Sequence, residues 1–74
     1  MTDINEIAVC ATGDTWETVA LADGFEDGTA EWFETRADAV KAARKLFNAT
    51  PSAKRLIVEN RRECCFKTVR TRRA

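Results

Sequence analysis

The chain has 74 residues, 45% of them apolar, with 12 Lys and Arg against 12 Asp and Glu and neither His nor Tyr. This length supports one small core, at the size where burial only just offsets conformational entropy, and two Trp with four Phe exclude wholesale disorder. The zero net charge sums two opposed halves: Asp3, Glu6, Asp14, Glu17, Asp23, Glu26, Asp27, Glu31 and Glu34 precede every Lys and Arg, and from Arg36 onward only Asp38, Glu59 and Glu63 oppose the cations.

Residues Ile4 to Ala11 alternate, Ile7, Val9 and Ala11 against Glu6, Ala8 and Cys10, which is the period of a strand. Gly13-Asp14 punctuates it, and Thr15 to Leu21, with Val19 and Leu21 on one face, reads as a second strand of a hairpin. Asp23 to Gly28 reads as a loop, because its glycines permit positive φ and its acids need solvent; Ala30 to Glu34 forms a short third strand. Thr35 followed by Asp38 resembles a capping box, so a helix is expected from there. On the helical wheel Ala39, Val40, Ala43, Leu46 and Phe47 share one face and Lys41, Arg44, Lys45 and Asn48 the other, and Pro51 stops the helix. Lys54 to Asn60 and Cys64 to Val69 alternate as two more strands, separated by a polar turn, and residues 70–74 form a basic tail expected to fray.

These elements make a single α+β domain over residues 1–74: an antiparallel sheet of four to five strands, ββ[β]αββ, with one amphipathic helix on one face. The helix is expected to cover Ile7, Val9, Val19, Leu21, Leu56, Val58 and Phe66 with Val40, Ala43 and Phe47. Ala8, Cys10, Trp16, Ala20, Ile57 and either Trp32 or Phe33 then lie on the open face. Either that face is an interface, with Trp16 and Trp32 as its apolar anchors, or the register differs by one residue and these groups lie inside.

Catalytic chemistry is short of parts, since a chain with no His, no Tyr and a single Ser, Ser52, offers few groups that attack or titrate near neutrality. The chain is therefore read as not an enzyme. The acids around Asp23 to Gly28 do not follow the ligand spacing of a calcium loop, and Cys10, Cys64 and Cys65 have neither CxxC spacing nor a histidine to complete a zinc site, so no metal or cofactor is expected. No apolar run reaches the roughly 20 residues of a membrane span, and Met1-Thr2-Asp3 lacks the basic and apolar regions of a signal peptide; a cytoplasmic location away from membranes is the expectation.

The charge pattern leaves two binding surfaces. Asp23, Glu26, Asp27, Glu31 and Glu34 form a candidate acidic surface that would present carboxylates to a basic groove as phosphates do. Lys41, Arg44, Lys45, Arg61 and Arg62, with the arginine tail, form a candidate nucleic-acid surface. A third account needs no partner: acidic first strands lying beside basic last strands would pair their charges within the sheet.

Through Trp32-Phe33-Glu34-Thr35-Arg36-Ala37-Asp38-Ala39-Val40-Lys41-Ala42-Ala43-Arg44, where a strand runs into a threonine-capped, alanine-rich helix, the chain resembles small bacterial and phage proteins built as ββαββ. Several phage anti-CRISPR proteins are similar in size, acidity and this plan of a sheet with one helix. The resemblance implies a non-enzymatic inhibitor whose acidic surface blocks the nucleic-acid-binding surface of a larger protein or ribonucleoprotein complex, such as a CRISPR effector. The alternatives are a small nucleic-acid-binding protein and a homodimeric structural module joined through the Trp16 face.

Overall fold

Gly13, with φ of +57°, occupies the first central position of a two-residue turn, the position a type II′ hairpin turn reserves for glycine. It joins β1 (Glu6–Thr12) to β2 (Thr15–Ala22), and the turn pairs Thr12 with Thr15 and hence Ile7 with Ala20 and Val9 with Thr18. The structure, a computed structural model, describes residues 3–23, 25–60 and 65–72, and for residues 25–29 the backbone alone. Within it follow β3 (Phe25–Phe33), α1 (Arg36–Ala49), β4 (Arg55–Asn60) and β5 (Cys65–Thr71), and the strands lie in the order β3-β2-β1-β4-β5.

The α+β plan with one helix holds, and the sheet is mostly antiparallel, but β1 and β4 run parallel. The reason is topological. Two hairpins leave β3 running in the direction of β1, α1 carries the chain back across the sheet, and β4 therefore enters along the open edge of β1 in β1's own direction.

The third strand is longer than the expected Ala30 to Glu34, and the expected loop from Asp23 to Gly28 is corrected. Asp23, at φ +52°, belongs to a tight turn in which its amide donates to Asn5 Oδ1 at 3.1 Å, and the strand resumes at Phe25 opposite Ala22. Polar, glycine-bearing residues 27–29 are accommodated as a bulge, since the register jumps from Val19 opposite Ala30 to Leu21 opposite Glu26.

Thr35 caps α1 as its position suggested: its hydroxyl accepts from the Asp38 amide at 3.2 Å. The helix buries Ala39, Ala43 and Phe47 against Ile7, Val9, Ala20, Leu56 and Val58, with Ala53 closing the cluster and Trp16, Phe33, Val40 and Leu46 packed around it. Thr18, 4% exposed, is the polar member of this face, and its hydroxyl donates to the Ala39 carbonyl at 2.9 Å.

Several expected faces are corrected by this register. Trp16 and Ala20 lie beneath the helix, whereas Val19 and Leu21 pair with Ala8 and Glu6 on the opposite face. Phe66 leaves the core: it pairs with Glu59 and is 46% exposed, while Val58 on the helix side has Lys67 as its neighbour. Phe33 takes the helix side and Trp32 the open face, beside the expected Ala8, Cys10 and Ile57.

The tail is also corrected as far as Arg72. A single extra residue in β5, between Thr68 opposite Ile57 and Arg70 opposite Leu56, re-phases the strand so that Arg72 arrives on the helix side. Its guanidinium donates to the carbonyls of Thr50 (2.6 Å), Ala53 (3.0 Å) and Phe47 (2.8 Å), and stacks 4.3 Å from the centre of the Phe47 ring. A cation thus satisfies the carbonyl end of α1, where the helix dipole is negative.

Candidate functional site

Strand order converts the charge segregation of the sequence into a charge division across the sheet. The three strands drawn from the acidic half, β3, β2 and β1, lie together, and the two from the basic half, β4 and β5, follow them. The halves meet at the β1–β4 seam. There the Arg55 guanidinium donates through Nε and Nη2 to Glu6 Oε2, and Glu59 Oε2 accepts from the Ala11 amide at 3.2 Å.

Charge pairing within the sheet is therefore a feature of the seam. Asp14, Asp23, Glu31 and Glu34 are exposed on or beside β2 and β3. At about 4.8 Å per strand, β3 stands roughly 14 Å from β4, beyond the Debye length of about 8 Å at physiological salt. Of the acidic candidates, Glu31 is exposed on the helix side of β3, Glu34 is exposed just past the strand's end, and Asp23 lies at the turn at the strand's other end. Glu26 and Asp27 sit at backbone positions on that same strand, with side chains outside the described residues.

The apolar pair expected to anchor an interface is divided between the two faces. Trp16 packs against the core cluster, so it belongs to folding, and Trp32 alone of the two stands on the open face, 58% exposed. At the other edge of that face stands Phe66, which sequence reasoning had assigned to the core. The centre between them is closed: Ala8 and Val19 are each 1% exposed.

The basic candidates on the helix are gathered as expected, with Lys41, Arg44 and Lys45 exposed along α1. Arg61 and Arg62 lie outside the described residues. Lys67, within the expected last strand, and Arg70, expected in a frayed tail, are exposed cations on β5, and Arg72 is committed to the helix end. The β-branched residues Thr68, Val69 and Thr71 were the signal that the strand continues.

Between α1 and β3 runs an open groove of about 910 Å³, lined by Thr18, Ala20, Phe33, Ala42 and Leu46, with Glu31 and Lys45 at its polar positions. The Thr18 hydroxyl at this groove donates to the Ala39 carbonyl. No three His, Cys, Asp or Glu side chains among the described residues cluster as metal ligands do. Among the described residues no helix is long and apolar enough to cross a membrane. Comparison with protein-family models, curated proteins and solved structures finds no match for the chain.

Proposed function

We propose that the protein is a non-enzymatic binding module, anti-CRISPR-like in mode, that lays its acidic half-sheet on a basic, nucleic-acid-binding surface of a larger protein or ribonucleoprotein complex. The observation that carries this reading is the strand order, which collects the acid-bearing strands at one side of the sheet and leaves Glu31 and Glu34 exposed at its edge. Exposed carboxylates concentrated at one edge of a sheet can meet a basic groove as phosphates do, and such a surface steers association strongly at low salt. The protein should displace a fluorescent oligonucleotide from its captured partner, and Glu31→Lys with Glu34→Lys should abolish displacement while leaving the circular dichroism spectrum unchanged. Undiminished displacement by the reversed protein would refute the reading.

A second reading rests on Lys41, Arg44 and Lys45, which follow helical spacing and are all exposed, as a phosphate-contacting face requires. It requires binding to duplex DNA whose affinity falls with a log–log salt slope of about −0.9 per phosphate neutralised. Replacing the three by Ala should flatten that slope, and an unchanged slope removes the helix from the account.

A further inference from the structure

We propose that β5 of one copy pairs antiparallel with β3 of a second copy, Phe66 opposite Trp32 and Lys67 opposite Glu31, so that the sheet continues head to tail. Among the described residues β3 and β5 end the strand order, and no strand pairs with their outer edges. The proposal does not rest on the acidic docking function, because the second copy is itself the partner.

The registers of the successive strand pairs define cross-strand rows. One row runs Glu31, Thr18, Val9, Val58, Lys67: an acid at one edge, a base at the other, three core residues between. The next begins with Trp32 and Glu17 opposite Cys10 and ends with Glu59 opposite Phe66, so the exposed aromatics close the same row at its two ends. On the other side the row of Ala30, Val19, Ala8, Ile57 and Thr68 completes the set. A second copy set edge to edge without stagger therefore brings Lys67 to Glu31, Phe66 to Trp32 and Thr68 to Ala30.

Direction and hydrogen-bond phase agree with that register. β1, β3 and β4 run one way and β2 and β5 the other, so β5 meets a neighbouring β3 antiparallel with both helices on the same face. The Thr12–Thr15 pair closing the two-residue turn is a hydrogen-bonded pair, and alternation carried outward from it turns the free amides of β3 at Ala30 and Trp32, and of β5 at Phe66 and Thr68, to the outside. These are the residues the register sets opposite one another. The regular stretches also match in length, 30–33 after the β3 bulge and 65–68 before the β5 bulge.

Charge selects this pairing over the symmetric ones. β3 against β3 sets Glu31 and Glu34 near their own copies, and β5 against β5 does the same for Lys67 and Arg70, whereas β5 against β3 opposes unlike charges. It also covers Trp32 and Phe66, the two most exposed large apolar side chains among the described residues, at 58% and 46%. The contact is heterologous and extends rather than closes.

Sedimentation velocity on the full chain tests it. The mass of the wild-type particle should rise with protein concentration at low salt and fall to that of the monomer at about 0.5 M salt, where the Debye length is a few ångströms. Glu31→Lys and Lys67→Glu should each give a monomer at low salt, and the chain carrying both should associate again, a rescue that misfolding cannot produce. A wild-type chain that stays monomeric at low salt, single variants that associate as the wild type does, or a double variant that stays monomeric would each overturn the proposal.

Discussion

Arg72 carries more of the fold than any other charged residue among those described, because one guanidinium serves three carbonyls at the end of α1 and covers the Phe47 ring. Hydrogen bonds to a charged donor contribute more than neutral ones, so Arg72→Ala should cost about 2 kcal/mol in urea unfolding. Arg72→Lys should recover little, since an ammonium lacks the planar fork. At the other end of the helix, Thr35→Ala removes the acceptor for the Asp38 amide and should cost about 1 kcal/mol. The tryptophans separate cleanly: Trp16→Glu places a charge against the core and should abolish cooperative unfolding, whereas Trp32→Glu, on the open face, should shift stability by no more than about 0.5 kcal/mol. Equal effects of the two substitutions on circular dichroism melts would contradict the register of β2.

At the scale of the element, the two bulges decide what the strands can present. The extra residue before Arg70 turns Arg72 toward the helix; deleting Val69 would keep Arg70 opposite Leu56 and Arg72 inward, whereas inserting one Thr after Arg70 moves Arg72 out of step and should destabilise the protein about as much as Arg72→Ala does. The insertion and Arg72→Ala combined should cost little more than either alone, because both remove the same contacts; additive losses in urea unfolding would separate the register from the latch. The capped helix and the existence of the strands were legible in the sequence because periodicity and caps are local. The face of β2 was legible too, in the two-residue turn: Gly13-Asp14 forces Thr12 opposite Thr15 and therefore Ile7 opposite Ala20, and the greater hydrophobicity of Val19 and Leu21 pointed the other way. What alternation could not disclose was the pair of bulges, which break period two within β3 and β5 and so concealed the length of one strand and the inward turn of Arg72. The parallel seam follows from counting strand directions through α1, a property of the whole path rather than of any segment.

For the molecule as a whole, the strand order sets an acidic edge against a basic one, so a chain of zero net charge has a strong charge asymmetry across its sheet. The Glu6–Arg55 pair absorbs charge only at the seam and leaves the edges to meet something else. Salt should accordingly weaken association of either edge while leaving thermal stability nearly unchanged, because exposed charges separated by several strands contribute little to folding. The acidic candidate site was legible as composition but not as a surface, since which acids share an edge depends on the order of the strands. The measurement that bears most directly on this account is capture from a nuclease-treated cell lysate with two variants in parallel, Glu31→Lys with Glu34→Lys, and Lys41→Glu with Arg44→Glu and Lys45→Glu. The account expects the wild type and the helix variant to retain the same stoichiometric protein partner and the β3 variant to lose it. Retention by the β3 variant, or capture that requires intact nucleic acid and fails with the helix variant, would contradict it.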